Sequence, residues 1–203
     1  SIKGTDFVYH DGEKIVVNHP SASRGGMVYG KTASTQTIGN IMPDWTGGWT
    51  NTFTYKNLTA SALIDVQWGG DFFSLDTWYG YGTGIYADQA GTNADGVEVR
   101  ESIANGGGLS IGGVMASTDA DGNHVLDADG NFTSDGTANT VNGFAGDYNN
   151  YAGWKNAPNA MHVYDATYIK LRQLSISYSL PSSMFSGKGL SLIHISEPTR
   201  LHT

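Results

Sequence analysis

A chain of 203 residues has room for one medium-sized domain. It contains no cysteine, so it can build neither a disulfide framework nor a thiolate metal site. Its formal net charge of −8 excludes a general nucleic-acid binder, which phosphate would repel, and it has no apolar run of the ~20 residues that a membrane-spanning helix needs. Strands that span a bilayer with alternate residues polar remain open.

Three segments in chain order carry the strongest pattern, and all three read as extended. In residues 49–55, Trp49, Phe53 and Tyr55 share one face with Asn51 as the exception, and Thr50, Thr52 and Thr54 share the other. Lys56-Asn57 is a two-residue connection of the antiparallel hairpin kind. In residues 58–68 the even positions Leu58, Ala60, Ala62, Ile64, Val66 and Trp68 are all apolar, and the odd positions are polar except Leu63. Residues 168–180 form the third segment, with Leu174, Ile176, Tyr178 and Leu180 on one face. Ile169 and Leu171 have the opposite parity, so a bulge near Arg172 is expected. No segment shows clear helical periodicity.

Between the 58–68 and 168–180 segments lies a different kind of sequence. Residues 69–167 hold 18 of the 28 glycines and 13 acidic residues against two basic ones, Arg100 and Lys155. Such a composition reads as turns and surface loops with short hairpins inside, and the two Asp-Gly steps of Asp119–Phe132 are one hairpin signal.

Alternation alone fits both a soluble sandwich, with its apolar faces packed together, and an outer-membrane barrel, with its apolar face in lipid. Length favours the barrel. Eleven residues at about 3.4 Å each span roughly 34 Å, or roughly 26 Å when tilted by about 40°, close to the apolar band of such barrels. Aromatic residues at strand ends (Trp45, Trp49, Trp68, Tyr178) match interfacial girdles, and a minimal turn followed by a very long excursion matches short periplasmic turns and long outer loops. In that arrangement residues 45–55 descend, 58–68 ascend and 69–167 lie outside the cell.

Two stretches also resemble a known family. "TIGNIMPDWTGGWTNTFTYKNLTASALIDVQWGGDFF" (Thr37–Phe73) and "YDATYIKLRQLSISYSLPSSMF" (Tyr164–Phe185) are similar to the SusC/RagA-like TonB-linked outer-membrane proteins of Bacteroidota. Thr37–Phe73 is similar to that family's Gly-Asn-x-x-Pro-Asp, Gly-rich strand, Tyr-Lys-Asn turn and ascending strand. Tyr164–Phe185 resembles its Asp-Ala-x-Tyr-x-Lys-Leu-Arg strand ending in Leu-Pro. The resemblance covers about residues 10–189, the C-terminal part of a far longer chain. It implies a barrel fragment of an importer of oligosaccharides or peptides in the bacterial outer membrane. It further implies a SusD-like surface lipoprotein as a lid, and coupling to the TonB complex through an N-terminal plug region missing from this chain. "LSLIHISEPTR" (Leu190–Arg200) departs from the pattern and resembles a translated sequencing adapter.

The expected fold is therefore all-β, part of a transmembrane antiparallel β-barrel with one long extracellular loop region. Its divisions are a barrel strand and outer loop region at 1–44, a transmembrane hairpin at 45–68, the acidic loop at 69–167, a transmembrane strand and periplasmic turn at 168–189 and a non-native tail at 190–203. Trp49, Phe53, Tyr55, Leu58, Ala60, Ala62, Ile64, Val66, Trp68, Leu174, Ile176, Tyr178 and Leu180 are expected to face lipid or its interface.

Aromatic rings in the loop, Trp78, Tyr79, Tyr81, Tyr86, Tyr148, Tyr151 and Trp154, are candidates for stacking on a sugar or lining a peptide groove, against the alternative of packing within the loop or contact with a partner lipoprotein. Asp119, Asp121, Asn123, Asp127 and Asp129 invite a calcium reading. Counted from Asp119, however, glycine falls at positions 4 and 12 instead of 6, so turn formation is preferred. His10, His19, His124 and His162 lack metal-ligand spacing, no nucleophile elbow or phosphate loop occurs, and Asp65 reads as a lone solvated carboxylate. No cofactor, metal or catalytic group is expected. The rival readings are a secreted carbohydrate-binding β-sandwich and a glycan-cleaving enzyme, the latter needing a carboxylate pair in a cleft.

Overall fold

The computed structural model describes residues 1–21, 25–146, 150–184 and 186. Tyr148, and the whole adapter-like stretch Leu190–Arg200, lie outside the described residues. The chain is mostly β. Its strands are β1 (Ile2–Gly4), β2 (Tyr9–His10), β3 (Glu13–Asn18), β4 (Met27–Tyr29), β5 (Gln36–Gly39), β6 (Trp45–Tyr55), β7 (Leu58–Trp68), β8 (Asp71–Phe73), β9 (Val114–Ala116), β10 (Ser134–Ala138), β11 (Val163–Asp165) and β12 (Tyr168–Tyr178). One α-helix, α1 (Leu75–Thr83), follows β8. No described helix is long and apolar enough to cross a membrane.

The chain divides into two compact units. One contains Ser1–Trp45 and Gln67–Tyr168, so residues 1–44 and 69–167, read separately from the sequence, fold around a common core. At its centre is β3, whose Ile15, Val16 and Val17 are consecutive and all buried. Successive strand side chains point to opposite faces, so β3 is covered on both. It pairs antiparallel with β2 and β4 and parallel with β9, through Ile15 opposite Val114 and Val16 opposite Met115. Val8, Met27, Val28, Ile111, Tyr151 and Ala152 complete the cluster. The β2–β3 hairpin closes over Asp11-Gly12, both with positive φ, as a primed two-residue turn requires.

The helix is a departure from the uniformly extended reading. Its sequence, LDTWYGYGT, carries two glycines and two tyrosines and so has weak intrinsic propensity. Its ends supply what the interior lacks. Ser74 Oγ accepts from Thr77 N at 3.1 Å, Asp76 sits in the first turn, and left-handed Gly84 donates back to Gly80 O and Tyr81 O.

Residues 117–133 form the hairpin region anticipated at Asp119–Phe132, with more regularity than a single hairpin. The pentapeptide Asp-Ala-Asp-Gly-Asn occurs at 119–123 and again at 127–131. In each copy the leading Asp Oδ1 accepts from backbone N–H groups two and four residues on. Three main-chain bonds at eight-residue spacing close a ring: Val125 N to Ser117 O, Thr133 N to Val125 O and Ser117 N to Thr133 O, at 2.9, 3.0 and 2.8 Å. The Asp-Gly steps are thus turn formers, and the described residues contain no group of three or more metal-ligating side chains.

The other unit comprises Thr46–Val66 and the described residues from Ile169 on. Its sheet has the order β12-β7-β6, with two eleven-residue strands joined at Lys56-Asn57 and a third of equal length. One face of the hairpin carries a hydroxyl ladder, with Thr52 Oγ1 donating to Ser61 Oγ at 3.1 Å and Thr54 Oγ1 3.3 Å from Thr59 Oγ1. Asn57 holds the end of β12 by accepting from Ser179 N at 2.7 Å and donating to Ser179 O at 2.6 Å.

Candidate functional site

Two groups of residues stand out as sites. One is the set of exposed apolar side chains on the three long strands. Trp49 is 60 % exposed, Phe53 69 % and Ile176 71 %, and Tyr55, Leu58, Trp68, Leu174, Tyr178 and Leu180 are exposed as well. Ala60, Ala62, Ile64 and Val66, on the central strand, are half-buried. β6 and β7 also carry the threonine–serine ladder, and β7 carries Asp65. Asp65 is not the lone carboxylate expected from the sequence, because Arg172 on β12 donates to its Oδ2 from Nε at 2.8 Å and stands 2.7 Å away through Nη2. The two residues lie far apart in sequence, and only the pairing of β12 with β7 brings them together.

The other group surrounds α1. Trp78, Tyr79 and Trp154 meet with ring centroids 5.1 Å (Trp78–Tyr79), 5.3 Å (Tyr79–Trp154) and 6.3 Å (Trp78–Trp154) apart. Tyr81 and Tyr86 meet at 4.7 Å with their planes tilted by 43°. Four of these five candidates come from α1 and the residues just after it, and Trp154 reaches Trp78 and Tyr79 from the 150–157 segment. Tyr151 is separated from them in role, since it is buried in the β3 core cluster. Burial is the first cause raising its phenol well above the usual value. Tyr81 donates to Asp88 Oδ2 at 3.0 Å, and burial, then this bond to an anion, pushes its pKa up to about 12. Tyr79 and Trp154 keep their faces partly open, at 49 % and 40 % exposure. An edge-to-face pair of this kind offers a sugar ring or an apolar side chain a surface of few rotors.

His162 sits behind this group, fully buried, with Phe73 and Tyr81 rings at 6.1 and 6.2 Å and Thr77 Oγ1 at 3.2 Å from Nδ1. Burial lowers its pKa, a backbone hydrogen bond to Ala152 opposing in part, so the ring is neutral at pH 7. Its surroundings are mainly aromatic, with the Thr77 hydroxyl on Nδ1.

Sequence reasoning missed a cavity of about 670 Å³ bounded by Val17, His19, Val28, Tyr29, Phe132 and Asn156, with Lys31, Lys155 and His124 also on its lining. The available signal was Lys155, one of only two cations in the acidic stretch 69–167. Comparison with protein-family models, with curated proteins and with solved structures yields no match.

Proposed function

We propose that this chain is a piece of a TonB-dependent outer-membrane transporter of the SusC/RagA-like kind, importing oligosaccharides or peptides, and that β6, β7 and β12 are part of its barrel wall. The observation that carries this reading is the uncovered apolar side of the three strands. Burying a large apolar side chain is worth roughly 1.5–3 kcal/mol, so a face holding Trp49, Phe53, Leu174, Ile176 and Tyr178 in water forfeits that gain at every position. Contiguous exposed apolar surface of this extent calls for another solvent or another molecule. Hydrocarbon chains supply it, and the eleven-residue length of each strand suits a tilted crossing of the bilayer. The hydroxyl ladder and the Asp65–Arg172 pair suit a wet lumen. The Thr37–Phe73 and Tyr164–Phe185 resemblance supplies the family.

On this reading Tyr79 and Trp154, with Trp78, Tyr81 and Tyr86 supporting them, contact ligand at the outer surface. A SusD-like surface lipoprotein closes over the outer face, and the TonB complex acts on the transporter's plug. The chain's own roles are lipid-facing wall and outer loop, with no catalytic step.

Cysteine scanning tests the proposal directly, because the chain has no native cysteine. Single variants at 60, 61, 62, 63, 64 and 65 are placed in the gene that encodes this chain and probed in outer-membrane fractions with a water-soluble maleimide. The odd positions are expected to react and the even ones to stay protected until the membrane is dissolved. Protection at both parities, or reaction at both, overturns the barrel reading. Recovery of the protein in the soluble secreted fraction with the even positions protected indicates a carbohydrate-binding sandwich instead.

A further inference from the structure

We infer that the cavity between β3, β4 and the Lys155 loop is a binding site for a small organic anion with a flat apolar body, a site separate from the aromatic group around α1 and independent of the membrane reading. The volume of about 670 Å³ lies in the range of small-molecule sites. Val17 and Val28, from paired strands, give it apolar walls, and Tyr29 and Phe132 add aromatic surface. Against these walls stand a few polar groups.

Lys31 and Lys155 both line the cavity, and Lys31 Nζ donates to the Lys155 carbonyl at 2.6 Å, so the two residues are held side by side. Neither ammonium has a carboxylate within ion-pairing distance among the described residues, although residues 69–167 carry thirteen acidic groups. Two lysines on one lining without a carboxylate partner, at an opening into apolar space, set up an anion position. His124, on the same lining and edge-on to Phe132 at 5.3 Å, extends the ring surface. A carboxylate or sulfonate near the lysines, with its apolar body against Tyr29 and Phe132, satisfies the charge and the surface together.

The test uses the full chain in detergent micelles with 2-naphthoate as probe and 2-naphthylmethanol as its neutral counterpart, followed by probe fluorescence and by calorimetry. Naphthoate is expected to bind saturably, to weaken as salt is raised, and to bind roughly tenfold more weakly to the Lys31→Met/Lys155→Met double variant. The alcohol is expected to be indifferent to both changes. Both lysines are exposed, so the variant keeps the fold, and far-UV circular dichroism checks this. Non-saturable uptake of naphthoate, equal affinity for the two probes, or unchanged naphthoate affinity in the double variant each overturns the assignment.

Discussion

Arg172 on β12 directs two guanidinium nitrogens, Nε and Nη2, at a single oxygen of Asp65 on β7, at 2.8 and 2.7 Å. A planar guanidinium that engages a carboxylate with two nitrogens fixes the neighbouring strand's position more sharply than a lysine would. Both side chains retain contact with solvent, which limits the energy. A double-mutant cycle with Asp65→Ala and Arg172→Ala in denaturant unfolding is expected to give a coupling of about 0.2–1 kcal/mol. Arg172→Lys should recover less than half of it. A coupling of zero would mean that strand pairing positions these residues without help from the ion pair.

His162 makes stability depend on pH in a definite direction. Burial depresses its pKa in the folded chain, while in the unfolded chain it titrates near about 6.5. Above that value both states are neutral and the folded state keeps its full stability. As pH falls below it, the unfolded state takes up a proton that the folded state refuses, and stability declines toward the lower folded pKa. Unfolding of the unit that contains His162 is thus expected to become easier between pH 7 and 5. His162→Gln should cost about 1–3 kcal/mol at neutral pH through lost aromatic packing, yet show a flatter pH dependence. Denaturant midpoints across this range measure both effects. An equal slope in the parent and the variant would place the titration on another group.

The long strands were legible because their alternation has no competitor. Period-2 alternation over 49–55 and 58–68, broken only at Asn51 and Leu63, flanks Lys56-Asn57, and β6 and β7 occupy 45–55 and 58–68. The centre of the other unit was hidden for the opposite reason. Ile15-Val16-Val17 is a short continuous apolar run, which periodicity cannot assign, and its parallel partner Val114-Met115 comes from the far side of the hairpin. A local signal did exist in Asp11-Gly12, a primed-turn dipeptide directly before that run. The helix was illegible because capping at Ser74 and Gly84, and not interior propensity, defines it. For the site, sequence proximity assembled Trp78 with Tyr79, but only the fold brings Trp154 to them and sends Tyr151 into the core.

Gly82 on α1 sets the distance between the helix and the exposed aromatic pair. A Cβ at this position would collide with the Trp154 indole, its ring nitrogen first, and Gly82 itself is buried. Alanine in a helix interior gains about 1 kcal/mol over glycine in propensity, whereas overpacking a filled site costs about 1–3 kcal/mol. The collision involves a rigid bicyclic ring, so the overpacking effect is expected to win. Gly82→Ala should destabilise the chain by about 1 kcal/mol and shift Trp154 away from Tyr79. Urea unfolding gives the energy, and the intrinsic fluorescence spectrum, compared with that of Trp154→Phe, reports the displacement. Weaker glycan or peptide binding in Gly82→Ala, with an unchanged unfolding midpoint, would mean that the pair serves ligand contact alone.

The repeated Asp-Ala-Asp-Gly-Asn turns tie the 117–133 segment to the N-terminal part of the chain through one side chain. Asp127 Oδ1 accepts from Asn131 N and Asp129 N at 2.8 and 2.9 Å, and the Asn131 Oδ1 so positioned accepts from Ala33 N at 3.0 Å. These donors, the Asn131 N–H foremost, hold the Asp127 carboxyl below its usual range. A depressed folded-state pKa gives a contribution that is present above the unfolded value of about 3.9 and is lost as pH falls through the folded one. Asp127→Ala deletes the acceptor, so amide exchange at Asp129 and Asn131 is expected to accelerate, with Ala33 following because its partner is no longer oriented. Asp127→Asn keeps a neutral acceptor and should leave Ala33 protected, with no pH dependence of its own below about pH 4. Hydrogen exchange followed by NMR distinguishes the two variants. Unchanged protection at Ala33 in Asp127→Ala would show that the Asn131 contact stands without the turn beneath it.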